Sequence, residues 1–318
     1  MIYYGLMVDL ADPTVNITMC IVIGKYFPNT GWVAIKNRDR NYVPEISFKK
    51  RTNGDVEILY FWDDITQYCE GLNSHGTGIL SASLMVQDDE KEIETRSKTP
   101  SKDGKKIKKA LTYPTVKHAV TSLIENKMPG NTLVFDAEHM YLIEGAWEPG
   151  GYRDRKYDYK VREIPKDQIV VRTNHGIWLS WAGYQMDGDR GEKMSRLSSL
   201  SRRLIALEVT EHAKNPEDIL DGLTRDFTHD GQLNALRTTT EKKKMRTTSQ
   251  IMIIPKEHTM YVRPVQSHMH FNFWELNHPE QKTWVEILSN RVLYMNLRKD
   301  PMSSKPPFDH KLDHDTGD

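Results

Sequence analysis

Thr18-Met-Cys-Ile-Val-Ile23 is apolar at nearly every position, and Gly31-Trp-Val-Ala-Ile35 continues the pattern after the turn signal Pro28-Asn-Thr-Gly31. A strand with one wet face alternates apolar and polar residues. An unbroken apolar run belongs to a strand buried on both faces. The two stretches read as a hairpin inside a layered domain. The charged run Lys36-Asn-Arg-Asp-Arg40 follows directly.

Further strands are expected at Val56-Glu-Ile-Leu-Tyr-Phe-Trp62 and Gly78-Ile-Leu-Ser-Ala-Ser-Leu84. A helix is predicted over 115–127, with Val116, Ala119, Val120 and Leu123 on one face. Strands at 132–137 and 140–144 come next, then a strand pair at 158–163 and 168–173. Helices follow over 195–212 and 216–226. Ser249-Gln-Ile-Met-Ile-Ile254 and Thr259-Met-Tyr-Val-Arg263 form a late hairpin around Pro255. Strand pairs first, helices in the middle and strands last give an α+β class, not a parallel βαβ series.

The composition excludes several functions. Lys and Arg total 44, as do Asp and Glu, so no overall field points to nucleic acid. Hydrophobic residues at 38% together with 19 glycines come close to the roughly 45–50% apolar usage of globular domains. No apolar run approaches the roughly 18 residues of a membrane span. Two cysteines, Cys20 and Cys69, cannot make a disulfide framework. Asp9 and Asp12 fall where a signal peptide would be apolar, so a cytoplasmic protein is expected. Residues 87–109 turn from acidic to basic around Pro100 and Gly104 and read as a charged, solvated insertion. Residues 20–298 are expected to form one domain, with a polar, flexible tail over 299–318.

Weak motifs are set aside. His268 with His270, and His310 with His314, lack a third ligand and read as surface histidines, so no metal and no cofactor are expected. Lys242-Lys-Lys-Met-Arg246 reads as an exposed turn. Cys69, flanked by Tyr68 and Glu70, reads as a small buried hydrophobe. No dinucleotide, P-loop, nucleophile-elbow or zincin motif occurs.

Taken alone, Cys20 reads as a core thiol and Asp39 as a turn residue. Together they form a pattern: a strand beginning with Cys, a hairpin, and Asn37-Arg-Asp39 at the end of the second strand. Further on come Gly71-Leu-Asn-Ser-His-Gly-Thr-Gly-Ile79, Thr173-Asn-His-Gly176 and Ser198-Ser-Leu-Ser-Arg202. This ordered set resembles the N-terminal-nucleophile (Ntn) hydrolases of the choloylglycine hydrolase/penicillin V acylase family. The Thr-Asn-His form is similar to the acyl-coenzyme A:6-aminopenicillanate acyltransferase branch. One departure is Lys36, which stands where that family has arginine; another is Ser83, at a position held by Asn or Tyr in the best-known members.

The resemblance implies a four-layer αββα sandwich with two antiparallel sheets and hydrolysis of a linear, non-peptide amide. Residues 1–19 would be a leader, removed by attack of the Cys20 thiol on the Met19 carbonyl. Cys20 would then be nucleophile and N-terminal residue at once, its α-amine, with a pKa near ~8, serving as base. Asp39 would orient that amine. The Asn174 side-chain N–H and the Ser83 backbone N–H would bind the oxyanion. Arg202 would stabilise Asp39, although from the residues alone it reads as exposed, about 140° around its helix from Leu197 and away from the Leu197/Leu200/Leu204/Leu207 stripe. Lys36 loses the bidentate fork of an arginine. The partner is a small-molecule acyl amide, with no nucleic acid and no membrane; a homo-oligomer stays open. Acyl transfer to an amine and a catalytically lapsed binding protein are the alternatives. A papain-like protease is disfavoured because Cys20 lies on a strand.

Overall fold

The computed structural model describes residues 18–84, 103–148, 156–183, 188–239, 245–265, 269–272, 284–287 and 293–296. Along the chain, β1 (Thr18–Phe27) and β2 (Gly31–Arg40) form the first hairpin. Next come β3 (Glu45–Asn53), β4 (Val56–Asp63), β5 (Cys69–Asn73) and β6 (Gly78–Ala82). Helices α1 (Asp103–Ala110) and α2 (Val116–Glu125) precede β7 (Gly130–Phe135), β8 (Met140–Trp147) and β9 (Tyr157–Glu163). After β10 (Val170–Arg172) come α3 (Gly188–His212) and α4 (Pro216–Gly222). The last strands are β11 (Arg246–Ile254), β12 (Thr259–Pro264), β13 (Met269–Asn272), β14 (Trp284–Ile287) and β15 (Leu293–Asn296).

One sheet has the order β10-β1-β2-β11-β12-β15 and is antiparallel throughout. The other has the order β14-β13-β3-β4-β5-β6-β7-β8-β9 and is antiparallel except where β13 runs parallel to β3. Between the sheets, Cys20, Val22, Trp32, Ala34 and Ile251 meet Phe48, Phe61, Leu80, Leu133 and Phe135. The outer face of the first sheet packs Ile21, Ile23, Val33 and Ile35 against Ile205, Ala206, Ile219 and Leu220 of α3 and α4. The outer face of the second packs Ile58, Tyr60 and Val134 under Ile107, Ala119 and Leu123 of α1 and α2. These three apolar layers define the α-β-β-α stack.

The hairpin bears out the opening argument. β1 and β2 lie inside the first sheet with a helical layer on one side and the second sheet on the other, so both residue parities are buried. Gly31 turns the corner at φ +80°, and a Cβ there would lie 2.5 Å from the Ala137 carbonyl oxygen, so only glycine fits.

Several expectations need correction. Residues 103–110 of the supposed solvated insertion form α1, which seats Gly104, Ile107 and Ala110 on the second sheet; residues 85–102 lie outside the described residues. The strands at 157–163 and 170–172 do not pair, since β9 ends one sheet and β10 the other. Strand β3 was hidden by its polar Lys49-Lys-Arg51 stretch. Helix α3 presents Leu197, Leu200 and Leu204 to solvent at about half exposure and buries Arg202 completely, reversing the amphipathic reading. Residues 1–17, His268, His310, His314, Lys242 and the 299–318 tail lie outside the described residues.

Candidate active site around Cys20

Cys20 is buried near the start of β1, where its Cα faces Arg38 on β2. Its backbone N–H donates to Asn174 Oδ1 at 2.9 Å. Asn174 follows β10, the strand paired with β1, and its Nδ2 donates at 2.7 Å to the carbonyl of Ser83, which follows β6 in the other sheet. One amide thus ties the two sheets together at the cysteine. On the sulfur side, Arg40 Nη1 donates to Cys20 Sγ at 3.6 Å and to its neighbour's carbonyl, Asp39 O, at 2.7 Å.

Alternation along β2 separates its polar end into two groups. Asn37 and Asp39 share the parity that faces α3 and α4. The Asp39 carboxylate is fully buried and ion-paired with Arg202 of α3. Arg237 Nε lies 3.8 Å from the same carboxylate oxygen, and Thr247 Oγ1 donates to the other at 2.7 Å. Thr247 is the ladder partner of Asp39 on β11, beside a bulge. Burial first, and then neighbouring Arg202, push the Arg237 pKa down to about 9, which leaves it cationic at neutral pH. Two guanidiniums therefore face one carboxylate.

Lys36, Arg38 and Arg40 share the parity that faces the second sheet. Lys36 is paired with Glu70 of β5 and donates to Ser81 O at 2.5 Å. Arg38 reaches Asp63 at 3.3 Å and Glu70 at 3.5 Å, and Arg40 Nε lies 3.6 Å from Asp63. Burial alone would raise the Asp63 and Glu70 pKa values, but Arg38 with Arg40, and Lys36 with Arg38, outweigh it and hold both below the usual carboxylate range. Tyr42 donates to Asp63 at 2.7 Å, and burial keeps its phenol protonated. Desolvating ions on this scale is expensive unless they are well paired.

The structure brings Cys20, Asn174 and Ser83 together in one place and Asp39 and Arg202 in another, on the opposite face of β2. One N–H of the Asn174 amide goes to the Ser83 carbonyl, and its oxygen receives the Cys20 N–H. Lys36, at the position where the resembled family has arginine, is bound to Glu70. Sequence reasoning missed Arg40, Arg237, Thr247, Asp63 and Glu70. One signal was available: all ten residues of β2 are buried, so a charged run continuing a core strand had to meet buried counter-charges. It also missed Glu144, whose Oε1 accepts N–H bonds from Ile177, Trp178 and Leu179 at 2.9, 2.8 and 2.6 Å, fixing the loop that follows Asn174. His175 hydrogen-bonds Ser199 at 2.7 Å, and burial, with help from Arg196, lowers its pKa to about 4. Cys69 packs under α1, and burial pushes its thiol pKa well up, so it is inert as expected.

Among the described residues, no three His, Cys, Asp or Glu side chains are grouped to hold a metal ion, and no helix is long and apolar enough to cross a membrane. An open surface groove of about 530 Å³, lined by Glu138, His139, Glu163 and Lys166, includes none of the groups around Cys20.

No family model matches the sequence, and no curated protein is similar to it. Similar solved structures include penicillin V acylase from Agrobacterium tumefaciens, with a TM-score of 0.47 and 12% identity over 88% of this chain and 87% of that one. A mutant of conjugated bile acid hydrolase from Clostridium perfringens gives 0.39 and 10% over 88% and 93% of the two chains. Another variant of that hydrolase gives 0.37 and 11% over 92% and 99%. These are proteins of the kind that the motif resemblance named.

Proposed function

We propose that the chain is a cysteine Ntn hydrolase that cleaves a linear, non-peptide amide through a thioester on Cys20, after cleavage of the Met19–Cys20 bond. The observation that carries this reading is that both reactive atoms of Cys20 have dedicated buried partners: Asn174 for the nitrogen and Arg40 for the sulfur. A buried backbone N–H needs an acceptor in any fold, but a structural core thiol needs no cation at its sulfur.

In the processed chain the α-amine of Cys20 takes the thiol proton, and the sulfur attacks the acyl carbonyl. The tetrahedral oxyanion collapses to the thioester as the α-ammonium returns its proton to the departing amine. Water then attacks the thioester, activated by the same amine, and releases the acid. Asn174 holds the amine and is itself anchored on the Ser83 carbonyl. Asp39, clamped by Arg202 and Arg237, fixes the end of β2 opposite Met19 and sets the field beneath the amine.

Intact-mass spectrometry tests the first step. The wild-type protein is expected to be lighter than its full-length mass by residues 1–19, and Cys20→Ala to keep them. Incubation with a panel of acyl amides should then trap an acyl adduct on Cys20, and added amines reveal whether water or an amine is the better acceptor. A full-length wild type with no adduct refutes the reading.

A further inference from the structure

We propose that Arg40, and not Lys36, is the cation that opposes the charge of the Cys20 thiolate, a positioning and charge-stabilising residue in the site proposed above, on which the inference rests. Three observations lead to it. Arg40 Nη1 is in hydrogen-bonding range of Sγ, at 3.6 Å. Lys36, which holds the motif position, is engaged by Glu70 and the Ser81 carbonyl. The third is a charge imbalance. Among the described residues, Lys36, Arg38 and Arg40 face only Asp63 and Glu70 between the sheets. Tyr42 stays neutral, so one positive charge has no carboxylate partner there.

Arg40 is where that excess sits. It is completely buried, its Nη2 has no hydrogen-bond partner among the described residues, and its one carboxylate contact, Asp63, is shared with Arg38. A buried cation of this kind is costly until an anion arrives. The thiolate is that anion: when the thiol proton moves to the α-amine of the same residue, the negative sulfur lies against the guanidinium, and no external reagent is needed for the balance. A nucleophilic cysteine needs such an electropositive neighbour.

The test is labelling of Cys20 by iodoacetamide across pH, with peptide mass mapping to separate it from Cys69. The wild type should label at neutral pH. Arg40→Gln should label at least tenfold more slowly there and recover as the pH is raised. Arg40→Lys, which keeps the charge, should stay within about threefold of the wild type, and Lys36→Gln should label like the wild type. The proposal is overturned by an Arg40→Gln protein with the wild-type profile, or by a Lys variant as slow as a folded Gln variant. If Arg40→Gln does not fold, the wild type decides: labelling confined to the alkaline range of a free thiol, whose pKa is about 8.5, overturns the pairing. A full-length chain whose Cys20 reactivity depends on Arg40 defeats the hydrolase reading and supports the pairing; a processed chain whose labelling ignores Arg40 does the reverse.

Discussion

Replacing Asp39 by Asn removes one charge and almost no volume, which makes it a clean test of the clamp under β2. The carboxylate is fully buried, paired with Arg202 and 3.8 Å from Arg237. With an effective dielectric near 20, unit charges about 4 Å apart attract by roughly 4 kcal/mol. The variant loses this attraction and leaves two buried guanidiniums facing each other. One oxygen survives to accept the Thr247 hydroxyl, so that bond is kept. Breaking a buried pair from one side typically costs about 3–5 kcal/mol, and that is the expected loss here, a large part of a typical stability of about 5–15 kcal/mol. The assay is urea unfolding followed by circular dichroism, in a Cys20→Ala background so that both proteins carry the same N-terminus. Glu138→Gln is the control. Its partner Lys166 lies 2.6 Å away, but both side chains are about half exposed or more, and its curve should superimpose on the parent. An Asp39→Asn protein within about 1 kcal/mol of its parent would refute the argument that burial gives this clamp its strength.

Three further outcomes follow from other parts of the fold. Gly104→Ala should destabilise at or above the roughly 1–3 kcal/mol of overpacking, because its Cβ would lie 1.9 Å from the Gln67 carbonyl oxygen; an unchanged unfolding midpoint would return residues 103–110 to solvent. Burial, with help from Arg196, lowers the His175 pKa from its ordinary 6.5 to about 4. The unfolded chain is protonated first, so native stability is lost as pH falls from the upper value through the lower one, by up to about 3 kcal/mol. His175→Gln should flatten that part of the stability–pH curve measured by denaturant midpoints, and parallel curves for the two proteins would contradict it. Leu200→Gln combined with Leu204→Gln should change thermal stability little, since exposed substitutions stay within about 0.5 kcal/mol each. A cost of about 2–5 kcal/mol per residue would mean that the stripe is core.

The sandwich was legible where burial imposes a pattern. Apolar runs at 18–23 and 31–35, and the apolar face of α2, marked strands and a helix that the structure contains. Positions 20, 39, 83, 174 and 202 were legible only through their order along the chain. Periodicity carries no information on which side chains converge from strands in different sheets. What stayed hidden was whatever pairs polar groups across the layers. Strand β3 carries Lys49-Lys-Arg51 at its outer end, α1 is basic on one side, and each looks solvated until its few buried residues are placed.

Helix α3 shows why such failures gather where charges are buried. Its leucines recur at the spacing of a core-facing stripe, and by the hydrophobic argument they should be inside. The helix is turned the other way: Ser199, Arg202, Ala206 and Thr210 pack inward and Leu197, Leu200 and Leu204 face out. Burying the leucines would gain apolar area, but it would rotate Arg202 away from Asp39 and leave a buried carboxylate with only the more distant Arg237. Breaking a buried pair from one side costs about 3–5 kcal/mol, against roughly 2–4 kcal/mol for burying the exposed halves of all three leucines. The ion pair therefore fixes the rotation of the helix, and hydrophobicity gives way. The polar end of β2 chooses the face of α3, so the residues that make the fold hardest to read in the sequence are those that pair its buried charges.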